Sequence, residues 1–242
     1  MRAIRAIFIK QLNDLPKNLS ITTMFVAFPL MAFLLGALAG GSGEEGAEVA
    51  QAAMNIQFAM MFVAMTPMIM IANTIAEDNE YKSLRFLVMA GVKPAQYLAG
   101  LISFAVVLSL LPITAFAFMG GLSGQNFIIF VGLCTLGALV SSIVGALVGL
   151  FSKNVQSCSA ISTPVGMIFA LLPFLAGFNE TLAHIATASF TGQIFMSLIY
   201  LVTEEAMSSF HSTPVSLAVI GANGLVAAIL FAIAYSKKGL KG

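Results

Sequence analysis

The longest charged interruption of this apolar sequence is the stretch from Glu77 to Gly100, which reads EDNEYKSLRFLVMAGVKPAQYLAG. Three acids and a lysine fall within its first six positions, and Arg85 and Lys93 follow. A short charged segment between two apolar runs is suited to contact a partner in the aqueous phase. The alternative is a solvated connector that binds nothing.

The centre of this stretch predicts a short helix. Asp78 lies four residues before Lys82, a spacing at which opposite charges attract on a helix surface. One face of this helix would carry Tyr81, Leu84 and Val88. Gly91 is placed to end the helix, and Pro94 is placed to begin the next one.

Composition places this chain among membrane proteins. Of its 242 residues, 59% are hydrophobic and 9% are charged, whereas roughly a quarter of the residues of a soluble domain are charged. We therefore expect a single all-α, polytopic membrane domain over residues 1–242. Cys134 and Cys158 lie within or at the end of apolar runs without metal-ligand spacing, so neither a disulfide nor a metal site is expected.

Six apolar runs are long enough to cross about 30 Å of hydrocarbon as helices. They lie near residues 19–41, 54–76, 98–119, 127–151, 157–177 and 214–236. A seventh stretch, 182–202, is interrupted by several polar residues.

Residues 1–17 have the pattern of a helix in the membrane interface. Their basic residues, which include Arg2 and Arg5, lie mostly off one apolar stripe. That stripe consists of Ile4, Ile7, Phe8, Leu12 and Leu15. Such a segment is expected on the cytoplasmic side of the membrane. A signal peptide is the alternative, and the long positive region argues against it.

The positions of the charges predict the topology. With six spans and both termini inside, the inner segments contain all 11 lysine and arginine residues. These segments are 1–18, 77–97, 152–156 and 237–242. The positive-inside rule then places both termini in the cytoplasm. A full span at 182–202 would put the C-terminal lysines outside, so we interpret 178–213 as outer re-entrant structure.

Several kinds of chemistry are missing from the spans. None of the six runs contains Asp, Glu, Lys, Arg or His in its interior, which argues against a proton relay. His184 and His211 lie in the outer region without HExxH spacing, and no GxxxxGK[ST] phosphate loop is present. No Ser–Lys or Ser–His–Asp set can be assembled within the spans. We therefore expect no catalytic residue, metal or cofactor in this chain.

The spans offer small residues at helical spacing instead. Two sets recur every four positions, Gly36 with Gly40 and Ser141 with Gly145 and Gly149. Such ladders allow helices to approach closely, either within one chain or at a dimer seam.

Mild polarity accompanies the prolines of two spans. Thr66 and Asn73 lie near Pro67 in the second run. Thr163 precedes Pro164 in the fifth run. Because proline bends a helix, these side chains are candidates to line a route for an amphipathic or hydrophobic substrate. The alternative is ordinary hydrogen bonding between helices.

The stretch IAEDNEYKSLRFLVMAGVKPAQYLAG, with the interfacial helix and the six spans, resembles the ABC type-2 permease family. In that family the loop after the second span has an acidic start, a Lys or Arg, a Leu-rich turn and a small-Val-polar-Pro segment. Ile75 to Leu98 follows this order. The family also places short re-entrant helices on the outer face between the fifth and sixth spans. The outer loop from Gly41 to Gln51 is short, which departs from members with large extracellular domains.

The resemblance implies the membrane subunit of an ATP-driven exporter in a bacterial plasma membrane. Two bundles, identical or paralogous, would form the route, and two separate ABC ATPase subunits would bind ATP and Mg²⁺. A cytoplasmic coupling helix in the loop 77–97 would contact the ATPase through Glu77, Asp78, Glu80, Tyr81, Lys82 and Arg85. Arg2 and Arg5 would anchor the interfacial helix near the ATPase.

The uncharged lining favours a hydrophobic or amphipathic substrate, such as a drug, an antimicrobial peptide or a lipid-like molecule. An ATP-independent channel or secondary carrier is one alternative, and a membrane assembly factor without transport is another. A haem- or cytochrome-maturation permease would use His184 or His211 as its contact. Membrane lipid is the expected surrounding, and no nucleic-acid partner is expected.

Overall fold

Every regular element in the described part of the chain is a helix, which confirms the predicted all-α class. The computed structural model describes residues 2–17, 19–40, 47–83, 89, 91–203 and 213–239. The helices are α1 (Arg2–Asp14), α2 (Leu19–Gly40), α3 (Ala47–Glu80), α4 (Pro94–Met119), α5 (Gly124–Phe151), α6 (Val155–Leu175), α7 (Glu180–Ala188), α8 (Phe190–Thr203) and α9 (Thr213–Gly239). Short 3₁₀ helices, Leu15–Lys17 and Ala176–Phe178, follow α1 and α6.

Five of these helices, α3, α4, α5, α6 and α9, are long and apolar enough to cross a membrane. They coincide with five of the six predicted spans. The remaining predicted span, 19–41, coincides with α2, whose described apolar part, Thr22–Leu38, is shorter. Helices α7 and α8 meet at a bend of 99°. By length and composition, the described chain thus has five candidate spans, or up to six if the bent pair crosses as one unit.

The bend between α7 and α8 is held by polar contacts in the predicted re-entrant region. Ser189 Oγ accepts a hydrogen bond from the Gly192 backbone N–H at 3.0 Å. The Ala188 carbonyl accepts one from Asn223 Nδ2 of α9, also at 3.0 Å. Backbone groups that the bend removes from helical pairing are therefore satisfied inside the protein, as apolar surroundings require. Residues 204–212 of the same region lie outside the described chain.

α3 occupies the centre of the bundle. It contacts α2, α4, α5, α6 and α8. Of its most apolar window, 78% is buried, compared with 22% for α9. Met60 and Phe62 lie on opposite sides of the helix, and both are fully buried. A helix that is apolar on all sides needs neighbours on all sides, so the other elements are arranged around α3.

α5 approaches α3 more closely than larger side chains would permit. A Cβ atom added to Gly149 would lie 2.5 Å from the Ala72 carbonyl oxygen, and one added to Gly145 would overlap the α3 backbone. Ser141 Oγ donates a hydrogen bond to the Val63 carbonyl at 2.7 Å. The predicted ladder of small residues therefore packs α5 against α3 within one chain.

α2 packs its pair of small residues less tightly, against a side chain of α3. A Cβ atom added to Gly40 would lie 2.6 Å from Gln51 Oε1 of α3, and one added to Gly36 would lie 3.5 Å from Gln51 Cγ. The opposite face of α2 exposes large apolar side chains, including Leu34 at 48% and Leu38 at 73%. Such side chains are suited to contact the apolar tails of lipid molecules.

α1 packs against α4. A Cβ atom added to Gly100 would lie 2.9 Å from Ile7 Cβ, so only a glycine permits this contact. The rings of Phe8 and Phe104 meet edge to face with their centroids 5.6 Å apart. The N-terminal segment predicted as an interfacial helix is thus a helix that is attached to the bundle.

Within the predicted apolar stripe of α1, Leu12 does not face the bundle. This side chain is 50% exposed, whereas the neighbouring Gln11 is 9% exposed. Gln11 lies four residues after Ile7, and Leu12 lies four residues after Phe8, so helical periodicity allows either to face inward. Gln11, and not Leu12, faces the polar side chains near the end of α3.

α3 continues beyond the predicted second span, 54–76, and ends at Glu80. Lys82 has a φ of 57°, in the left-handed region, and the chain leaves the helical path there. The start of the predicted short helix is therefore corrected, because Glu77 and the residues up to Glu80 form the last turn of α3. Residues 84–88 lie outside the described chain.

The end of this loop that leads into α4 agrees with the predicted roles of Gly91 and Pro94. Gly91 has a φ of 77°, which glycine adopts without steric cost, and α4 begins at Pro94. The Lys93 backbone N–H donates a hydrogen bond to Gln96 Oε1 at 3.2 Å, which closes the first turn of α4.

We expect Gly149→Leu to destabilise the protein, because the new side chain would overlap the backbone of α3. Overpacking of this kind costs about 1–3 kcal/mol. Gly132→Leu on the same helix is the matched control, since a Cβ atom there meets nothing within 4 Å. Thermal unfolding in detergent should show a lower midpoint for the first variant alone. Equal midpoints would contradict the close contact between α3 and α5.

Candidate functional site

The last turn of α3 contains a buried carboxylate. Asp78 is 4% exposed, and side chains from two other helices bind it. Lys10 Nζ of α1 lies 3.1 Å from Oδ1, and the Tyr97 hydroxyl of α4 donates a hydrogen bond to Oδ2 at 2.6 Å. Both carboxylate oxygens are thus satisfied, as burial requires. One side chain thereby joins α1, α3 and α4.

This arrangement corrects the predicted pairing of Asp78 with Lys82. The pairing assumed that the helix continued through both residues. Because α3 ends at Glu80, Lys82 does not lie one turn above the carboxylate. Lys10, which is 68 residues earlier in the sequence, pairs with Asp78 instead.

The two residues after Asp78 contact two further helices. Asn79 Nδ2 donates a hydrogen bond to the Gly149 carbonyl near the end of α5, at 3.3 Å. Glu80 Oε2 accepts one from the Val155 backbone N–H at the start of α6, at 3.2 Å. A helix N-terminus offers unpaired N–H groups and a partial positive charge, so it suits a carboxylate. We call Asp78, Asn79 and Glu80 the α3 hub.

Exposed side chains flank the α3 hub. Glu77 precedes it and is exposed, and Tyr81 follows it and is 70% exposed. Lys82 is also exposed. Within the α3 hub, Asp78 is buried, Asn79 is half-buried and Glu80 is exposed, while Glu77, Tyr81 and Lys82 beside them are open to a partner.

The acids at this end of α3 create an unfavourable electrostatic arrangement, because a helix C-terminus carries a partial negative charge. The described last turn of α3 contains no basic residue. Lys10 offsets Asp78, and the N-terminus of α6 offsets Glu80. The Glu77 carboxylate has no hydrogen-bond or ion-pair partner among the described residues. It is therefore a local acceptor for a cationic group.

A cavity of about 370 Å³ opens beside the α3 hub, between α1, the start of α2 and α3. Its polar lining includes Lys10, Gln11, Asp14, Thr74, Glu77 and Asp78. Its apolar lining includes Leu15, Leu19, Met70 and Phe104.

The structure describes only part of the remaining predicted contact residues. Arg5 is exposed on α1, which leaves it open to a partner or to the membrane surface. The side chain of Arg2 and the whole of Arg85 lie outside the described residues. Their roles stay predictions.

The predicted route residues are not brought together within one chain. Thr66 is 1% exposed, and its hydroxyl has no hydrogen-bond partner in the described part of the chain. Asn73 Oδ1 accepts a hydrogen bond from Ser159 Oγ of α6 at 3.1 Å, which is the helix–helix role considered as the alternative. Thr163 lies on the exposed face of α6.

Sequence reasoning missed Lys10, Tyr97 and Asn79 as members of the site. A buried aspartate at the end of an apolar helix predicts a cation nearby, but five basic residues in the first 85 positions other than Lys10 compete for that role. Tyr97 lies one turn into α4, and the sequence alone indicates only an aromatic residue at the membrane interface. Only the packing of α1 and α4 against α3 selects these partners.

The α3 hub connects α3 to other helices. Its polar groups are bound to groups of α1, α4, α5 and α6 and do not converge on a common point, as a catalytic site requires. In the described residues, no three His, Cys, Asp or Glu side chains are grouped to hold a metal ion. A displacement of the exposed end of α3 would be passed by these bonds to four other helices.

A comparison with protein families matches residues 3–236 to the family described as ABC-2 family transporter protein. The match begins in α1 and ends in α9, so it covers the helices that carry the α3 hub. Comparison with curated proteins returned no match.

We expect Asp78→Ala to destabilise the protein by about 1–3 kcal/mol, because the buried Tyr97 hydroxyl would lose its acceptor. Lys10→Met should add little to this loss, since its partner is already gone. Thermal unfolding of both single variants and the double variant measures this non-additivity. Lys153→Met, an exposed basic residue at the same end, is the control. Strict additivity of Asp78→Ala and Lys10→Met would contradict the ion pair.

Proposed function

The chain belongs to the ABC-2 transporter family, and we propose that it is the permease subunit of an ATP-driven exporter. ABC-2 permeases normally work with an ABC ATPase. The sequence has no phosphate-binding loop, so ATP and Mg²⁺ would be bound by two separate ATPase subunits. This chain would supply the route through the membrane and the surface that the ATPase moves.

The exposed end of α3 carries the proposal. Glu77 and Tyr81 are open to a partner, and the three residues between them bind four other helices. An ATPase that displaces these two side chains would move α1, α4, α5 and α6 through the α3 hub. A loosely attached loop would bend instead. Coupling between distant sites requires a contiguous, rigid connection of this kind.

The charges of this end support a cytoplasmic location. Lys10 binds Asp78, Lys93 precedes α4, and Lys153 lies between α5 and α6. All three lie at the end of the bundle that carries the α3 hub. Because cytoplasmic loops are enriched in lysine and arginine, we place the α3 hub in the cytoplasm beneath a bacterial plasma membrane.

The route would lie between two copies of the bundle, either identical or paralogous. Thr163 is exposed on α6 and is placed to line such a route. Thr66 and Asn73 are held within one bundle and would act by positioning α3 and α6. The exposed faces are mostly apolar, which favours outward transport of a hydrophobic or amphipathic molecule such as a drug, an antimicrobial peptide or a lipid-like compound.

A co-purification experiment tests the ATPase contact. We expect Glu77→Ala combined with Tyr81→Ala to weaken capture of the ATPase about tenfold or more, because both side chains are exposed next to the α3 hub. The tagged protein is purified in mild detergent, and the captured ATPase and its ATP hydrolysis are measured.

The matched control is Phe178→Ala combined with Glu180→Ala. These two residues are also an exposed aromatic and an exposed acid, and they lie beyond the far end of α6. Capture by this control should equal that of the wild type. If the wild-type protein captures no ATPase even after cross-linking, the exporter proposal fails and a partner-free channel or carrier takes its place.

Cysteine labelling tests the orientation. Lys153→Cys and Glu180→Cys each place a thiol at an exposed position, and the native cysteines Cys134 and Cys158 are both buried. In intact cells without an outer membrane, a membrane-impermeant maleimide should label Glu180→Cys at once and Lys153→Cys only after lysis. The reverse order would place the α3 hub outside and overturn the proposed contact.

A further inference from the structure

The cavity beside the α3 hub has two walls of different chemistry. Met70 of the apolar wall is 2% exposed, whereas Glu77 of the polar wall is exposed. Seven residues of helix separate them, so the cavity extends about 10 Å along α3. A pocket lined by both charged and apolar side chains fits a molecule that has a polar head and an apolar tail.

Gln11 is a largely buried residue whose amide is accessible from this cavity. It lines the cavity and is 9% exposed. Within the described chain its amide forms no hydrogen bond. Buried polar groups in native proteins are usually paired with protein, water or ligand. The side chain of Gln11 is therefore available to a molecule in the cavity.

The charges in the lining favour a cation. The described lining contains the lysine Lys10 and the carboxylates of Asp14, Glu77 and Asp78. Asp78 is already bound by Lys10 and Tyr97, whereas Glu77 has no ion-pair partner among the described residues. The C-terminus of α3 adds a further partial negative charge. An anionic head would be repelled from this cavity.

We propose that this cavity binds the ammonium group of an amphipathic amine. A primary or secondary ammonium has N–H donors, and the Glu77 carboxylate and the Gln11 amide oxygen accept them. Its alkyl part covers Leu15 and Leu19, of which Leu19 is 74% exposed, and removes apolar surface from water. The amine is either a lipid headgroup or a soluble amphipathic amine, since both present the same group.

This site does not depend on the proposed ATPase contact. Binding is a property of the permease alone and is measured without an ATPase. A wild-type permease that captures no ATPase could still bind the amine, and absence of amine binding would leave the ATPase contact intact. Glu77 is shared by the two proposals, so Gln11→Leu is the variant that separates them: it should weaken amine binding and leave ATPase capture unchanged. Gln11 belongs to the cavity and not to the residues that contact the ATPase.

Calorimetric titration provides the test. The purified protein is placed in nanodiscs of phosphatidylcholine, whose quaternary ammonium has no N–H donor. Octylammonium, octanol and octanoate are titrated against these nanodiscs, and empty nanodiscs give the partition into lipid. We expect saturable binding of octylammonium alone. Equal binding of octanol and octylammonium would overturn the proposal.

Two variants connect the binding to the cavity. Gln11→Leu and Glu77→Gln should each weaken octylammonium binding about tenfold, because each removes one strong acceptor. Glu77 is exposed, so its substitution leaves the packing unchanged and remains informative if Gln11→Leu does not fold. Glu180→Gln, an exposed acid at the start of α7, should bind as the wild type does. Wild-type affinity in both cavity variants would refute the assigned site.

Phosphatidylethanolamine distinguishes the two sources of the amine. Its headgroup is a primary ammonium, and it replaces part of the phosphatidylcholine in a second set of nanodiscs. If a lipid headgroup occupies the cavity, the apparent affinity for octylammonium falls in these nanodiscs. If the affinity is unchanged, the site takes soluble amphipathic amines.

Discussion

The end of the bundle depends on a carboxylate that must be held by donors once it is buried. Asp78 obtains those donors from α1 and α4, which fixes both helices relative to α3. Asn79 and Glu80 are the next residues of the same turn, so α5 and α6 are positioned by the same short piece of backbone. Four helices thus take their positions at this end from three consecutive side chains.

Along the rest of α3, close packing replaces polar contacts. Helices in lipid gain little from burying apolar side chains against one another, so intimate contact and hydrogen bonds decide which helices associate. The glycines of α5 set how near α5 and α3 lie, and the bond from Ser141 to the Val63 carbonyl sets their register. The α3 hub then fixes the rotation of the same pair at one end. Glu77 and Tyr81 project from a structure that is constrained along its length.

The spans could be predicted from the sequence because hydropathy acts locally, and the helices therefore appear where the apolar runs lie. The partners of Asp78 could not be predicted from the sequence, because Lys10 is 68 residues away and Lys82 is nearer in sequence. Helical periodicity also allowed either Leu12 or Gln11 to face inward, and in the structure Gln11 is the buried residue. The charged stretch was recognised as a contact surface, yet its first residues proved to be the last turn of α3. Long-range packing decided each of these points.

The α3 hub also has a consequence for biosynthesis. Its partners follow one another along the chain, from Lys10 through Tyr97 and the Gly149 carbonyl to the Val155 N–H. Chains leave the ribosome from the N-terminus, so α3 enters the membrane when only the first of these partners exists. Asp78 lacks its second partner until α4 has been synthesised, and Glu80 lacks its partner until α6 begins. Assembly of this end is complete only when the first turn of α6 has been synthesised.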